Sequence, residues 1–374
     1  MDGQELLAAI VANPEDDARR LVYADWLLRS GDRLGELIVA QLEQAASPDN
    51  VALKRRVAQL ISALRTQLVG DLPLSQPVFR RGFIVAAEIT AAELLELGER
   101  LFERLPLLVE LIIWLERHEA STKVCASPLL GHLRELEFRY ARGIDPQALA
   151  ANPHLAKLER LGLTSCELKT AEFATLAASS TLGSLRTLAI GSNPVEAASV
   201  AALAKAEFAP SLTGLRLWKA QLSVDAVRAL RAFEGLRALD LSFNKLGLPS
   251  LGLLGELSPS LRSLTLRGVR FPGPEGVSAL APLTLGALEL EGALIGDAGV
   301  ARLDQLDLSE LETLDLSGNR LTRRGLAHLL ALPLPKLRRL NLRSNEFGRS
   351  AKSFARKLTH TRVELDEIVL PAGR

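Results

Sequence analysis

Leucines recur along this chain at a spacing that predicts a series of short strands. The pattern Leu-x-x-Leu-x-Leu-x-x-Asn-x-Leu occurs in full from Leu236 to Leu246 and from Leu311 to Leu321. Because successive side chains of a strand point to opposite faces, each Leu-x-Leu places its leucines in a core and its x residues on the other face. Successive copies start 24 to 27 residues apart, and the variants begin at Leu108, Leu133, Leu158, Leu185, Leu212, Leu261, Leu285 and Leu337.

The second half of each copy has a helical pattern. Val224, Val227 and Leu230 lie three residues apart, and acids stand near the predicted helix starts at Asp225 and Asp297. Strands pack about 4.8 Å apart, whereas packed helices need about 8–10 Å, so a stack of such units bends toward its strands. The pattern therefore predicts an α/β solenoid, with a parallel concave sheet roughly 43 Å long and helices on the convex side.

A polar residue is expected at the turn that follows each strand. An asparagine at this position can satisfy loop backbone groups that would otherwise be buried without partners. Ala220, Val269 and Ala293 replace the asparagine in three copies, and Glu116 and Ala141 replace it in the first two. Alanine and valine side chains form no hydrogen bonds, so those turns need other partners.

These copies resemble the leucine-rich-repeat family in its longer, ribonuclease-inhibitor-like form. The resemblance covers the chain from about Leu105 to the C-terminus, and the segment Ile-Gly-Asp-Ala-Gly-Val that begins at Ile295 is typical of that subfamily. It implies a right-handed leucine-rich-repeat solenoid, or horseshoe.

Residues 1–70 carry no copy of the repeat and are predicted to form a small all-α domain. One helix is predicted to have Asn13 as its N-cap and Pro14 at its first position, and to stop near Gly31. Further helices complete the predicted bundle at residues 34–44 and 51–69.

Part of this helical segment resembles the bacterial repeat-companion domain. The residues concerned are Arg-Leu-Val-Tyr-Ala-Asp-Trp-Leu at 20–27, followed by Gly31-Asp32 and by Gly35-Glu36-Leu37-Ile38. That domain precedes leucine-rich repeats in many bacterial proteins, so the resemblance implies an architecture and no particular activity.

Asp25 stands within the apolar run of this segment. We interpret it as a buried carboxylate paired with Arg20, Arg29 or the Arg80-Arg81 pair, because buried charges in proteins are normally paired. A functional role for Asp25 is the alternative.

The two ends of the repeat array are predicted to be capped. Residues 80–85 read as an edge strand about one period before the first copy, and residues 363–370 close the other end. The predicted domains are a helical companion domain at 1–70, a cap with an edge strand at 71–104, and about ten repeats with a C-terminal cap at 105–374.

The balance of charge and the small number of cysteines limit the classes of partner and the cellular compartment that the sequence favours. Lys plus Arg (45) and Asp plus Glu (44) nearly cancel, which argues against a nucleic-acid partner. The two cysteines, Cys125 and Cys166, do not form a disulfide framework, which favours a reducing compartment. No signal peptide is recognised, and the longest apolar stretch, residues 105–115, is too short to cross a membrane. These features predict a cytoplasmic protein that does not bind membranes.

Catalytic and metal-binding motifs are absent from the sequence. The five histidines are scattered, and neither a His-Glu-x-x-His nor a phosphate-binding Gly-x-x-x-x-Gly-Lys occurs. Cys166 stands at the turn position of its repeat, so we interpret it as a buried structural thiol and not as a nucleophile. The sequence predicts neither an enzyme nor a cofactor.

Aromatic and charged side chains are concentrated at the positions that point out of the predicted sheet. Two of the three tryptophans and one of the two tyrosines fall on this stripe. Since Trp, Tyr and Arg dominate the energetics of protein interfaces, we interpret the stripe as a partner-binding surface. The candidate residues are Trp114, Arg139, Tyr140, Arg216, Trp218, Lys219, Asp240, Arg267, Glu289, Glu291, Asp315 and Arg343.

Two alternatives to this interpretation stay open. The aromatic side chains, including that of Phe243, can instead pack over the loops at the strand ends. The acidic side chains beside Arg267 and Arg343 either fix the register of a partner or form a solvated face.

Together these features predict a non-catalytic scaffold, monomeric, that binds a protein partner on the concave face of the solenoid. The alternative function is a regulator of an enzyme, GTPase-activator-like or inhibitor-like. That alternative rests on analogy between folds alone.

Overall fold

Four helices at the N-terminus precede a long alternation of strands and helices. The computed structural model describes residues 2–115, 119–257, 259–347, 356–358, 360–366 and 368–370. Contacts between Cα atoms divide the chain into two units, residues 1–139 and 140–374. Glu116, the predicted turn residue of the first copy, lies outside the described residues.

The first unit opens with a bundle of four helices. Two of them match the predicted segments closely, and the helix that precedes these elements was not predicted. The predicted stop near Gly31 is confirmed, since Gly31 has a φ of 78° and the next N–H, that of Asp32, bonds to the Leu27 carbonyl at 2.9 Å. The helices are α1 (Gly3–Ala12), α2 (Asp17–Arg29), α3 (Leu34–Ala46) and α4 (Val51–Val69).

The prediction of Asn13 as an N-cap is wrong. The backbone N–H of Asn13 still bonds to the carbonyl of Ile10, so Asn13 ends α1. Helix α2 is capped by Asp16, whose carboxylate accepts from the N–H groups of Ala18 (3.0 Å) and Arg19 (3.2 Å). The two capping residues stand three positions apart, and the presence of α1 decides which of them caps α2.

The prediction of a buried Asp25 is also wrong. Its side chain is 59% exposed, and its carboxylate pairs with Arg29 one turn along α2 at 2.6 Å. The buried charge of this segment belongs instead to Arg20, which is 3% exposed and lies 5.9 Å from the centre of the Phe83 ring.

A β-hairpin follows the helices, where one edge strand was predicted. Strand β1 (Ser75–Arg80) turns at Arg81 and Gly82, both with positive φ, into the antiparallel strand β2 (Phe83–Thr90). Gln41 of α3 holds this turn, since its side chain donates to the Phe79 carbonyl (2.9 Å) and accepts from the Gly82 N–H (2.6 Å). The hairpin and the helices therefore share one core.

The remaining strands of the first unit are parallel to β2. They bury Leu111, Ile113, Leu136 and Phe138 on one face. The elements are α5 (Ala91–Leu97), α6 (Arg100–Arg104), β3 (Glu110–Trp114), α7 (Glu119–Cys125) and β4 (Glu135–Arg139).

From β5 to β12 the second unit alternates one strand with one helical segment, as the leucine spacing predicts. Its helices are α8 (Pro146–Ala151), α9 (Thr170–Ala177), α10 (Ala197–Leu203), α11 (Val224–Ala229), α12 (Leu248–Leu254), α13 (Pro274–Ser278), α14 (Gly296–Ala301) and α15 (Arg323–Ala331). Its strands are β5 (Arg160–Thr164), β6 (Thr187–Ala189), β7 (Gly214–Arg216), β8 (Ala238–Asp240), β9 (Ser263–Thr265), β10 (Ala287–Glu289), β11 (Thr313–Asp315), β12 (Arg339–Asn341), β13 (Arg362–Leu365) and β14 (Ile368–Leu370).

Strands β5 to β13 pair in parallel, each with the next along the chain, and β14 runs antiparallel to β13. The middle leucine of each repeat faces the middle leucine of its neighbour, and all are buried: Leu161, Leu188, Leu215, Leu239, Leu264, Leu288, Leu314 and Leu340. The predicted α/β repeat fold, its register and the burial of Leu239 and Leu314 are confirmed.

Asparagines at the turns bond across to the preceding repeat. The side-chain oxygen of Asn244 accepts from the N–H groups of Ala220 (3.0 Å) and Leu222 (3.4 Å). Asn319 likewise accepts from the N–H of Ile295 at 3.2 Å. The turns that contain Ala220 and Ala293 therefore find their partner in the asparagine of the next repeat. The turn that contains Val269 is not satisfied in this way, since the next repeat carries Ala293.

Candidate functional site

The outward positions of the sheet carry the predicted binding residues. On each strand of the second unit the leucines are buried, and the residues between and after them face the other side. The turn positions that follow have positive φ, as at Tyr140 (50°), Lys219 (50°) and Phe243 (58°). This backbone directs exposed side chains over the ends of the strands, where Tyr140 is 62% exposed and Phe243 44% exposed.

Four of these side chains form a group that we call the aromatic cluster: Trp218, Lys219, Phe243 and Arg267. The Lys219 ammonium lies 5.7 Å from the ring centres of both Trp218 and Phe243. The Arg267 guanidinium lies 5.7 Å from the Phe243 ring and also pairs with Glu291 at 2.8 Å. Cations at this distance from aromatic faces are attracted to them, so these contacts favour the observed arrangement of the cluster.

Glycines of neighbouring turns make room for both rings. A Cβ atom on Gly191 would lie 2.2 Å from the indole nitrogen of Trp218, and one on Gly268 would lie 2.5 Å from the Phe243 ring. Each ring therefore rests on the backbone of an adjacent repeat. Trp218 packs on one side and is half-buried, so the packing alternative describes one side of its ring, and the binding interpretation stays a prediction.

Beside the aromatic cluster the sheet carries a second group, which we call the acidic trough: Asp240, Glu289 and Asp315. Glu289 stands directly opposite Asp315 in the register of β10 and β11. Two adjoining depressions of about 330 Å³ and 190 Å³ share Glu289. Small residues such as Gly214, Ala238 and Ser263 line the larger depression and leave it open.

The acidic trough is electrostatically strained. Loss of solvent around the carboxyl raises the pKa of Glu289, and the charges of Asp315 and Asp240 raise it further. Asp315 is better satisfied, because it accepts hydrogen bonds from Ser317 and from the Asn341 amide (2.7 Å). Within the described part of the chain, none of the three acids forms a salt bridge.

We expect Glu289→Gln to stabilise the protein at neutral pH by about 0.5 kcal/mol, the scale of an exposed like-charge pair across two strands. A raised pKa means that the folded state holds the proton more tightly, so Glu289 begins to oppose folding as the pH rises above the pKa of the unfolded chain, and it does so fully once the pH exceeds the raised pKa. This gain in stability should disappear below about pH 4, where Glu289 is protonated in both the folded and the unfolded state.

Thermal unfolding at both pH values checks this expectation. Glu291→Gln is the matched control, since it removes a carboxylate that is paired with Arg267 and should bring no gain. A lower unfolding midpoint for Glu289→Gln at pH 7 would contradict the inference that ionised Glu289 destabilises the folded state.

Two predicted site residues belong to the first unit, and both contact Glu88. The indole N–H of Trp114 donates to Glu88 at 3.0 Å, and Arg139 contacts Glu137 (2.7 Å) and Glu88 (3.5 Å). Sequence reasoning missed the two acids. Glu137 occupies an outward strand position and was accessible to the same argument, whereas Glu88 lies on β2, outside the repeats, where no pattern marks it.

The remaining candidates lie apart from these groups or at their edges. Arg216 is exposed and lines the larger depression of the acidic trough. Arg343 lies 3.5 Å from Glu364 of β13. Tyr140 stands on an exposed turn of the second unit. Cys166 is buried, as predicted, with its thiol 3.5 Å from the Thr164 carbonyl.

The described residues hold neither a metal-binding group nor a membrane-spanning helix. They contain no group of three or more His, Cys, Asp or Glu side chains placed to hold a metal ion. None of the helices in this part of the chain is long and apolar enough to cross a membrane.

Comparison with known proteins places one segment in a family. The family model for the Leucine Rich Repeat matches residues 310–332, which comprise β11, its turn and α15. The chain carries leucine-rich repeats. The repeats that begin at Leu158, Leu185, Leu212, Leu236, Leu261 and Leu285 show the same order of strand, turn and helical segment as the matched one. No curated protein matches the sequence.

Among solved structures, one similar chain is an internalin, InlF, from Listeria monocytogenes. It is 16% identical, the match covers 83% of this chain and 94% of that chain, and the TM-score is 0.41.

Proposed function

We propose that the protein is a non-catalytic scaffold whose leucine-rich repeats bind a protein partner on the strand face. The observation that carries this proposal is the aromatic cluster, where Trp218 and Phe243 rest on backbone glycines and turn their other surfaces outward. A half-exposed tryptophan held in place by neighbouring groups loses little entropy when a partner covers it.

The proposal also covers the rest of the predicted site, the N-terminal helices, the cellular compartment and the oligomeric state. The charged candidates of the second unit contribute charge on the strand face, which selects a partner and speeds association, and Trp114, Arg139 and Tyr140 are proposed as further contact residues. The N-terminal helices are proposed to be a repeat-companion domain that covers the first strands, and the protein to act as a cytoplasmic bacterial monomer.

We expect Trp218→Ala to weaken partner binding by about 2 kcal/mol or more, as truncation of an interface anchor does. The indole packs on one side only, so the free energy of unfolding should fall by about 1 kcal/mol. The partner is first captured from native cell extract, identified by mass spectrometry and purified. Its affinity for the wild-type protein and the variant is then measured beside their thermal unfolding.

Two further variants sharpen this test. Trp26→Ala is the matched control, because Trp26 also rests on a glycine, Gly3, and is 40% exposed, but belongs to α2 of the first unit. Gly191→Ala keeps the indole and forces it to move, so it should weaken binding as Trp218→Ala does. Unchanged affinity in both Trp218→Ala and Gly191→Ala would remove the aromatic cluster from the binding site. A captured GTPase or nuclease would favour the regulator alternative.

A further inference from the structure

We propose that the turns after strands β7 to β11 bind an acidic segment of the protein partner, one that carries apolar side chains beside its carboxylates. This inference rests on the proposed function and names the chemistry of the partner. We call this surface the turn edge, and it comprises residues 218–221, 242–245, 267–270, 291–294 and 317–320.

The first argument is that these turns form one continuous surface. The Lys219 N–H donates to the Ser242 carbonyl of the next turn at 2.9 Å. Further along, the Gly268 N–H donates to the Glu291 carbonyl of the following turn at 2.7 Å. The backbone ladder of the sheet thus continues through the turns, so the side chains of successive turns stand about 4.8 Å apart.

The second argument is charge. The turn edge holds one acid, Glu291, and five exposed basic residues: Lys219, Lys245, Arg267, Arg270 and Arg320. Among the described residues, only Arg267 of these five forms a salt bridge, with Glu291 at 2.8 Å. The whole chain has a net charge of only +1, so positive charge is concentrated on this surface. Carboxylates of a partner would meet cations that have no acid of their own.

Two acids that are close to the turn edge in the sequence lie beside other arginines. Asp225 of helix α11 pairs with Arg228, one turn further along the helix. Asp240 of β8 stands directly opposite Arg216 of β7 in the register of the sheet. Neither acid lies within ion-pair distance of a basic residue of the turn edge.

The third argument is the apolar surface among these cations. Phe243 is 44% exposed and Leu294 is 38% exposed, and Trp218 is half-buried. The Lys219 ammonium lies 5.7 Å from the ring centres of Trp218 and Phe243. An ammonium group has three donors, so Lys219 can bind a carboxylate while it stays beside the rings. A segment with both acidic and apolar side chains therefore matches this surface.

Single-stranded nucleic acid is the alternative occupant, because it also binds cations interleaved with aromatic rings. Two observations favour a protein segment. The Phe243 ring is already contacted by Lys219 and Arg267, whereas a stacking base needs a free ring face. The acidic trough adjoins the turn edge at Asp240, whose carboxylate accepts from the Ser242 N–H at 2.9 Å, and its charge repels a phosphate backbone.

The test begins with a library of random dodecapeptides displayed on phage and selected on the full-length protein. We expect the enriched peptides to carry Asp and Glu in excess over Lys and Arg, together with leucine or an aromatic residue. The most enriched peptide is synthesised beside a copy in which Asn and Gln replace its acids. Calorimetric titration should show the acidic peptide binding about tenfold more tightly at low salt, the ratio for a charge-assisted hydrogen bond, and added salt should reduce this ratio.

A triple variant removes charge from the turn edge and leaves the aromatic cluster intact: Lys245→Gln, Arg270→Gln and Arg320→Gln. It should reduce the tenfold ratio to about threefold or less, because the partner's carboxylates lose most of their cations. The matched control removes the same charge from exposed positions outside the turn edge and should retain the ratio: Lys205→Gln, Arg237→Gln and Arg302→Gln.

Several results would overturn the proposal. These are the absence of enriched peptides, the enrichment of neutral or basic peptides, equal binding of the two synthetic peptides, and an equal loss of the ratio in the control variant. Tighter binding of a single-stranded oligothymidylate than of the selected peptide would also overturn it, in favour of nucleic acid.

The outcome is separable from that of the proposed function. A captured protein partner that depends on Trp218, with selected peptides that are neutral or basic, would leave the scaffold role standing and contradict the acidic segment. Acidic peptides that depend on the turn edge, with a captured partner indifferent to Trp218, would support the acidic segment and contradict the aromatic anchor.

Discussion

Replacing Asn244 by alanine is expected to lower the free energy of unfolding by about 3 kcal/mol or more. Asn244 is 4% exposed, and its amide lies within hydrogen-bond distance of five backbone groups. Alanine would leave several of these groups buried without a partner, and each such group costs about 1–3 kcal/mol. Water entering the space left by the side chain would recover part of that cost.

The same substitution should disturb the candidate site. Asn244 bonds to the carbonyls of Leu217 (2.8 Å) and Ser242, which are the residues just before Trp218 and Phe243. Loss of these bonds should loosen both turns. We therefore expect tryptophan fluorescence to change before the main unfolding transition.

Urea titration measures the stability loss, and Asn341→Ala is the matched control. Asn341 stands on the half-exposed face of β12, where its amide bonds to Asp315 and its oxygen accepts from the Arg343 N–H. Its removal should cost under about 1 kcal/mol. Equal losses for the two asparagines would show that position on the sheet, and not the buried hydrogen bonds, sets the cost.

Leu314→Ala is expected to cost about 2–5 kcal/mol, the range for leucine truncation in a packed core. Leu314 is 1% exposed and lies between Leu288 and Leu340 in the register of the sheet. Strands on both sides fix its surroundings, so the sheet cannot collapse into the space left by the side chain. Leu239 has the same environment and should behave alike.

Leu330→Ala is the control for this prediction. Leu330 lies on α15 and is 39% exposed, so its truncation should change stability by about 0.5 kcal/mol or less. Losses under about half a kcal/mol for both Leu314→Ala and Leu239→Ala in urea titrations would contradict the register of the repeat.

The positions of strands and core leucines could be predicted because their signals are local. A strand alternates its faces every two residues, so Leu239 and Leu241 had to share a face that excludes Asp240. The same alternation identified Trp218, Glu289 and Asp315 as outward residues. Repetition strengthened the inference, since every copy had to satisfy the same geometry.

Contacts between repeats were not predictable in this way. Trp218 rests on Gly191, which stands 27 residues earlier, and the side chain of Asn244 accepts a hydrogen bond from a turn in the preceding repeat. Nothing near either residue in the sequence marks its partner. The grouping of Asp240, Glu289 and Asp315 into one trough likewise follows from the register of several strands.

In the N-terminal helices, too, some features followed from the local sequence and others only from tertiary packing. Asn13 and Asp16 are both good capping residues, and the sequence around α2 favours Asn13 because Pro14 follows it. Asn13 is the C-cap residue of the preceding helix α1, so Asp16 is the residue that caps α2. Asp25 and Arg20 both lie in an apolar run, and only the packing of α2 against the hairpin buries Arg20 and leaves Asp25 in solvent.

The sequence by itself thus determined the repeat, the strand faces and the residues that point outward, because alternation and helical periodicity act over a few bonds. The tertiary structure decided which outward residues meet, which buried groups are satisfied and where charge stays uncompensated. These depend on side chains about 25 residues apart in the chain, and they are brought together only when neighbouring strands pair at their fixed spacing.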